Sequence, residues 1–159
     1  MSQIDLPMNG GCQCGRRRYT ISALPLTLYA CHCTDCQTQS TSAFGMSMPV
    51  PREVVSCDLA VLGIWERTAA SGQIVKARFC CKCGTRLFHE PSRNNKIINV
   101  KPGTLDDTSW LMPVGHLWLG SAQEWFTPPE DALRYQGQPP NFDDLFERFK
   151  DVVSHGNLG

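Results

Sequence analysis

Seven of the nine cysteines in this 159-residue sequence fall into three tight groups. The first group separates two cysteines by one residue, the second places three within six residues, and the third separates two by two residues. Thiolate is the donor that zinc prefers, and closely spaced cysteines can reach one ion from a single turn. The spacing therefore predicts zinc binding by Cys12 and Cys14, by Cys31, Cys33 and Cys36, and by Cys80 and Cys83.

Two glycines indicate which groups combine into one site. Gly15 follows Cys14, and Gly84 follows Cys83. Glycine readily takes positive φ, so the backbone can fold around the second sulfur and direct its amides toward the thiolates. Two matched turns of this kind predict a closed structural zinc site with four ligands, which are Cys12, Cys14, Cys80 and Cys83.

The central group has three cysteines and continues with Gln37 instead of glycine. Three protein ligands leave one position on zinc open to water or substrate, which is typical of a catalytic site. We therefore expect a second zinc ion, with Cys31, Cys33 and Cys36 as both metal ligands and catalytic group. A single site that draws on Cys31 and Cys33 is the alternative.

The remaining cysteines and histidines carry a weaker signal. Cys57 and Cys81 are interpreted as bystanders. His32 lies between two expected ligands and should face away from the ion, although it can line the site; His116 is interpreted as a core or surface histidine. Two Zn²⁺ ions and seven thiolates would change the formal charge of the chain from zero to about −3.

Charge and composition exclude several classes of function. Fifteen basic and fifteen acidic residues balance, so we expect no nucleic-acid partner. No segment has the pattern of a signal peptide or a membrane span, so we expect a cytoplasmic protein in which thiols stay reduced. The odd number of cysteines also argues against a complete disulfide framework.

Short strand-like segments dominate the chain and predict a mainly β fold in one domain over residues 1–159. Apolar residues at helical spacing predict an amphipathic helix over about 142–153, with Asn141 as its N-cap and its apolar face on the sheet. A second helix can begin near Thr34. Strands are predicted at Arg17–Ile21, within Val54–Arg67, and at Gln73–Cys80, Leu87–Glu90 and Lys96–Val100.

Four motifs follow one another along the chain: Gly11-Cys12-Gln13-Cys14-Gly15, Cys31-His32-Cys33-Thr34-Asp35-Cys36, Ser42-Ala43-Phe44 and Phe79-Cys80-Cys81-Lys82-Cys83-Gly84-Thr85. In this order they resemble the glutathione-dependent formaldehyde-activating enzyme family, which extends to centromere-protein-V-like proteins. The segment Gly103-Thr104-Leu105-Asp106-Asp107 and the region around His116 and Trp125 are similar to that family too, so the resemblance covers roughly residues 9 to 138.

The resemblance implies a small zinc-containing β-sheet fold with two zinc ions per chain. It assigns Cys12, Cys14, Cys80 and Cys83 to the structural zinc, and Cys31, Cys33 and Cys36 to the catalytic zinc. It also implies an enzyme similar to S-(hydroxymethyl)glutathione synthase. Such an enzyme joins a glutathione-like thiol to a small aldehyde such as formaldehyde, and is a carbon–sulfur lyase in the reverse direction.

One residue departs from the family pattern. Thr41 stands where family members often have glycine. A side chain at this position can narrow the pocket or change the backbone, so it affects which substrates are expected more than it affects metal binding. The expected reaction is attack of a thiolate on a small carbonyl carbon, after an open zinc position has lowered the thiol pKa. The alternatives are a non-catalytic zinc-stabilised binding module and a redox or iron–sulfur protein.

Overall fold

The computed structural model describes residues 4–69 and 72–156, and it confirms a mainly β fold with a C-terminal helix. Within these residues, eleven short strands accompany two α-helices and four 3-10 helices. The strands are β1 (Met8–Gly11), β2 (Arg18–Ile21), β3 (Tyr29–Cys31), β4 (Gly45–Pro51), β5 (Val55–Ser56), β6 (Gly63–Thr68), β7 (Ile74–Phe79), β8 (Arg86–Pro91), β9 (Ile97–Val100), β10 (Gly115–Leu117) and β11 (Leu133–Arg134). The helices are α1 (Thr34–Ser40) and α2 (Asp143–Gly156), and the 3-10 helices are Arg52–Val54, Leu59–Val61, Pro102–Thr104 and Leu119–Ser121.

The chain divides into two compact units, each with one cysteine cluster. The first unit contains Leu26–Ser47 and Leu111–Gly159, and the second contains Ile4–Pro25 and Met48–Trp110. The three-cysteine group lies in the first unit, and the four cysteines of the expected closed site lie in the second. That residues 1–159 form a single domain stays a prediction. Neither helix in the described part of the chain has the length and apolar character needed to cross a membrane.

Antiparallel strands build the second unit. Strands β1, β2 and β5 form a small sheet in that order, and β9, β8, β7 and β6 pair successively in a larger one. Tyr19 of β2 packs edge-on against Phe88 of β8 with ring centroids 5.2 Å apart, and its hydroxyl lies 2.8 Å from that of Thr104. Cys12 directly follows β1, and Cys80 directly follows β7, so the ends of two strands carry the metal-binding turns.

A short mixed sheet and the two helices build the first unit. Strand β3 is parallel to β10 and antiparallel to the first residues of β4, and β11 is parallel to β10. Leu145 of α2 is fully buried, and its Cδ2 atom would lie 2.4 Å from a Cβ added at Gly115. A side chain at Gly115 would therefore require Leu145 to move, and this close contact confirms that α2 packs on the sheet. The helix begins at Asp143, one residue later than predicted, so Asn141 lies one position before the N-cap, and its side chain accepts from the Asp143 amide at 3.1 Å.

A buried histidine in β8 is expected to make stability depend on pH. His89 is 9% exposed, and its Nε2 atom has no hydrogen-bond partner within the described structure. Burial, with a smaller contribution from nearby cations, lowers the pKa of His89 to about 2. As the pH falls below 6.5, the ordinary pKa of histidine, His89 becomes protonated in the unfolded chain but stays neutral in the folded chain. The free energy of unfolding therefore falls as the pH falls. The loss by pH 5.5 should be about 1 kcal/mol.

Chemical denaturation at pH 7.5 and pH 5.5 would measure this effect. The variant His89→Leu should lose less stability across the same pH interval than the wild-type protein, since it has no group to protonate at this position. Both proteins keep both cysteine clusters, so any acid-induced release of metal affects them alike. Equal losses in the two proteins would show that His89 does not carry the pH dependence.

Candidate metal centres

The four cysteines predicted for a closed site lie together in the second unit. Their sulfur atoms are all within 4.8 Å of one another. The Cys14 sulfur is 3.5 Å from that of Cys12 and 3.9 Å from that of Cys80. Zinc–sulfur bonds of about 2.3 Å in tetrahedral geometry place sulfur atoms about 3.8 Å apart, so this donor set fits a zinc ion. The structure therefore brings together Cys12, Cys14, Cys80 and Cys83.

The two turns that carry these cysteines have the expected backbone conformation. Gly15 has φ +73° and Gly84 has φ +74°, as the matched glycines predicted. The Gly15 amide donates to the Cys12 carbonyl at 2.9 Å, and the Gly84 amide donates to the Cys80 carbonyl at 2.8 Å. Each turn is thus closed by a hydrogen bond from its glycine back to its first cysteine. The Arg17 amide also donates to the Cys12 sulfur at 3.2 Å.

Thr85 links the two turns through its hydroxyl group. Its Oγ1 atom accepts from the Gln13 amide at 3.1 Å and lies 3.2 Å from the Cys83 sulfur, to which the hydroxyl can then donate. The hydrogen bond from Thr85 is the main reason why the pKa of Cys83 is lowered, to about 5. Sequence reasoning assigned Thr85 no role, although it ends one of the family motifs.

Proton loss is less favourable at the Cys14 sulfur than at the Cys83 sulfur. The Arg16 backbone lowers the pKa of Cys14, but the adjacent Cys12 thiol and the other two cysteines raise it more, to about 11. Four thiols this close resist losing all their protons together, because each thiolate repels the next. A divalent cation offsets much of this repulsion, so the cluster has the chemistry of a cation site.

Replacing Gly84 with alanine should weaken the closed site. An added Cβ meets no atom within 4 Å, so the cost comes from the left-handed backbone alone and should be about 1 kcal/mol. Chemical denaturation of the zinc-loaded protein measures the change. Gly103→Ala is the matched control, because its Cβ also meets nothing but its φ is not positive. Equal stability of the two variants would show that the turn does not need its left-handed residue.

The three-cysteine group forms a second cluster in the first unit. The sulfur atoms of Cys31, Cys33 and Cys36 all lie within 4.8 Å of one another, and those of Cys31 and Cys33 are 3.5 Å apart. Cys31 is buried, whereas Cys33 and Cys36 are half-buried. The neighbouring sulfurs, followed by burial, raise the pKa of Cys31. Three sulfurs at this spacing fit one face of a tetrahedral ion, and within the described residues no further cysteine joins them.

The start of α1 holds this cluster in place. Cys33 is the N-cap of α1, and its sulfur accepts from the Cys36 amide at 3.4 Å. The carbonyl of His32 accepts from the side chains of Gln37 at 2.7 Å and Ser121 at 3.0 Å. The His32 amide in turn donates to the carbonyl that follows His116 in β10, at 2.9 Å. The backbone between the first two cysteines is therefore fixed on both sides.

Helix α1 ends at the residue that departs from the family pattern. Thr41 is its C-cap, with φ 50° and ψ 40°. This is the left-handed conformation that glycine adopts without strain and that costs other residues roughly 1 kcal/mol. The threonine therefore keeps the backbone conformation that a glycine would provide.

Two histidines and two phenylalanines pack against one another, and one of them, His32, lies between Cys31 and Cys33 in the chain. His32 is fully buried, and its Nε2 atom lies 3.0 Å from Nδ1 of His116, which is 4% exposed. The ring centroid of His32 is 4.5 Å from that of Phe126 and 5.1 Å from that of Phe44. Burial lowers the pKa of both histidines, that of His116 to about 4, so the pair is neutral near pH 7. Sequence reasoning did not pair the two histidines.

The two cysteines interpreted as bystanders lie outside both clusters of the described structure. Cys81 is exposed although it sits inside the turn between Cys80 and Cys83, and Cys57 is half-buried. Burial raises the pKa of the Cys57 thiol, which keeps it protonated and unreactive. Both residues therefore serve as natural controls for substitutions within the clusters.

Comparison with known proteins connects these clusters to a family. The model of the glutathione-dependent formaldehyde-activating enzyme family matches residues 7–121. Among solved structures, the chain is similar to a crystal structure of a Rhodobacter sphaeroides protein, with a TM-score of 0.50 and 15% identity over 80% of this chain and 99% of that chain. This likeness supports the fold alone, and no curated protein matches the chain. Because the family model spans most of the sequence and all seven clustered cysteines, the chain belongs to the glutathione-dependent formaldehyde-activating enzyme family.

Proposed function

We propose that this protein is a zinc-dependent enzyme of the carbon–sulfur lyase type. It would join a glutathione-like thiol to a small aldehyde such as formaldehyde, giving an S-hydroxymethyl adduct, and cleave that adduct in reverse. The cluster of three cysteines in the first unit is the observation that carries this proposal, because it offers three donors where the other cluster offers four. Three ligands suit a catalytic zinc ion, and four suit a structural one.

The two sites would then have different roles. Cys12, Cys14, Cys80 and Cys83 would hold a structural zinc ion, and Cys31, Cys33 and Cys36 a catalytic one. Zinc in the second site would supply a positive centre that lowers the pKa of an entering thiol. The zinc ion and its three thiolate ligands together would carry a formal charge of about −1. Zinc in this site should therefore lower the pKa of the thiol less than zinc bound to neutral ligands would.

The reaction itself needs few groups. The thiol loses its proton, its sulfur forms a bond to the aldehyde carbon as the carbonyl π bond opens, and the resulting alkoxide takes up a proton. The residues around the cluster would form a rigid site that holds the thiol sulfur and the aldehyde carbon close together. The backbone of His32 is held by Gln37 and Ser121, and the Phe44 and Phe126 rings pack 5.4 Å apart beside it. This packed wall would also limit the access of water.

The exchange of formaldehyde between its free form and its glutathione adduct tests the proposal. Two-dimensional NMR exchange measures the rate at equilibrium, so the spontaneous reaction in buffer can be subtracted. The zinc-loaded wild-type protein and Cys57→Ser should accelerate the exchange, whereas Cys36→Ser should not. A wild-type rate equal to that in buffer would contradict an enzyme for these substrates.

A non-catalytic zinc-stabilised binding module is the second candidate. Strand β6 pairs only with β7 within the described sheets, and it exposes two large apolar side chains, Ile64 at 51% and Trp65 at 47%. An exposed strand edge of this kind can pair with another chain. Full zinc loading without any acceleration of the exchange would favour this reading over the enzyme.

A further inference from the structure

The sheet formed by β6, β7, β8 and β9 distributes its charged side chains unequally between its two faces. Directly opposite residues of paired strands share a face, and so does every second residue of one strand. Both carboxylates of these strands, Glu66 and Glu90, lie on one face, because each pairs with Lys76 of β7. Glu66 forms an ion pair with Lys76 at 3.0 Å, and Glu90 forms ion pairs with Arg52, at 2.7 Å, and with Arg78. The charges on this face therefore offset one another.

The other face carries basic side chains and receives no carboxylate from these four strands. His89 of β8 pairs with Ala77 of β7 on this face. Arg67 pairs with the β7 residue two positions before Ala77, and Arg86 pairs with the one two positions after it. Lys101 lies two positions beyond the β9 partner of His89, and its amide donates to a β8 carbonyl at 2.8 Å. Three basic residues therefore share the face of His89.

Burial and electrostatics place these basic side chains close to the histidine ring. Burial is the first cause that lowers the pKa of His89, and Lys101, Arg86 and Arg67 lower it further, in that order. A charge is largely screened beyond about 10 Å at ordinary ionic strength, so all three cations lie near the ring. Each of them is half-buried, although lysine and arginine side chains are usually exposed. Partly buried positive charge of this kind attracts anions.

His89 gives a second, independent sign of a ligand on this face. Its side chain is 9% exposed, and its Nε2 atom has no hydrogen-bond partner among the described residues. Buried polar atoms in folded proteins nearly always have a partner. The ring is neutral near pH 7, and a neutral imidazole can carry its hydrogen on Nε2 and donate it. Asn99, the half-buried partner of His89 in β9, offers amide donors beside it.

We propose that this face of the second unit binds a small oxyanion of the phosphate or carboxylate class. His89 would donate a hydrogen bond to the anion from Nε2, and Asn99 would donate from its side-chain amide. Lys101, Arg86 and Arg67 would balance the negative charge. This site is independent of the reaction proposed for the three-cysteine cluster, because all its residues lie in the second unit.

The NMR signal of the His89 Nε2 nitrogen reports the proposed hydrogen bond directly. Inorganic phosphate and malonate are the anionic probes, added near neutral pH to the zinc-loaded wild-type protein at constant ionic strength. At least one of them should shift this signal until it saturates. Malonamide, the neutral analogue of malonate, should not shift it, because the site requires negative charge. The anion with the lower Kd shows whether a phosphate or a carboxylate suits the site better.

Variants separate this site from the general positive charge of the unit. Arg86→Gln/Lys101→Gln should weaken binding of the better anion by at least about tenfold. Arg93→Gln/Lys96→Gln should stay within about twofold, although it removes the same two charges from exposed positions in the loop that joins β8 to β9. Neither control residue contributes to the pKa of His89. His89→Leu should weaken binding several-fold, because it removes the donor and keeps the cations.

Each outcome decides the proposal. A saturable His89 shift, with affinity lost in Arg86→Gln/Lys101→Gln but kept in Arg93→Gln/Lys96→Gln, supports the site. A His89 signal that neither anion shifts, an equal shift with malonamide, or equal weakening in the two double variants overturns it. The titration of the wild-type protein decides the question even where a variant is unstable. The formaldehyde exchange tests the proposed reaction separately.

Discussion

Replacing Cys80 with serine is expected to unfold the protein at 25 °C. Cys80 is fully buried and its sulfur lies in the four-cysteine cluster, so loss of this ligand should abolish tight zinc binding there. Structural zinc sites of this type contribute on the order of 10 kcal/mol of binding free energy, and a typical domain has a net stability of about 5–15 kcal/mol. The loss is therefore comparable with the whole stability of the fold. Circular dichroism and one-dimensional NMR would report the unfolding.

The adjacent cysteine provides the control. Cys81 occupies the same turn but is exposed and lies outside the cluster, so Cys81→Ser should keep the fold and its zinc. If Cys80→Ser remained folded with full zinc content, the assignment of a closed structural site to the four cysteines would be wrong.

Replacing Cys33 with serine should have a large effect of a different kind. It removes one of three sulfurs in the second cluster, so binding of glutathione should weaken by more than about 100-fold and the formaldehyde exchange should stop. The fold should survive, because serine is also a good N-cap and can accept from the Cys36 amide in place of sulfur. Calorimetry and circular dichroism on the same samples measure both consequences.

Cys57→Ser is the control for this substitution, since Cys57 is half-buried and lies outside both clusters. It should bind the thiol as tightly as the wild-type protein. Unfolding of Cys33→Ser, as severe as that of Cys80→Ser, would mean that both clusters are structural and would count against the division into a closed and an open site.

Much of the arrangement around the metal sites could be predicted because it depends on local chemistry. The positive φ of Gly15 and Gly84 follows from the need to fold a backbone around a sulfur atom, and both glycines have it. The C-terminal helix was likewise predictable from its apolar spacing, and the possible helix start near Thr34 agrees with α1. The strands in Gln73–Cys80 and Leu87–Glu90 correspond closely to β7 and β8.

Other strands gave no local signal in the sequence. Strand β4 contains Pro49 and Pro51, and proline argues against a central strand because it has no amide hydrogen to donate. Both prolines pair with β9, and within the described residues no strand pairs with them on the opposite side, since β3 pairs only with Gly45–Ser47. Strands β3, β10 and β11 are two or three residues long, too short for an alternating pattern to show. Their pairing depends on contacts between distant parts of the chain.

The groups around the three-cysteine cluster were also beyond sequence reasoning. The contact between His32 and His116 joins residues 84 positions apart, and so does the hydrogen bond from Gln37 to the Ser121 carbonyl. No sequence motif marks either pair, because the two partners lie far apart in the chain and single histidine, glutamine and serine residues give no sign of what they contact. The parallel pairing of β3 with β10 brings together the two chain segments that carry these residues.

Zinc content per chain, measured on gently purified wild-type protein and on Cys33→Ser, tests the central claim most directly. The wild-type protein should contain two zinc ions per chain and the variant one, with the same fold by circular dichroism. That result would establish a closed site and a separate second site. One zinc ion in both proteins would show that the three-cysteine cluster holds no metal, and the zinc-stabilised binding module would then be the better account.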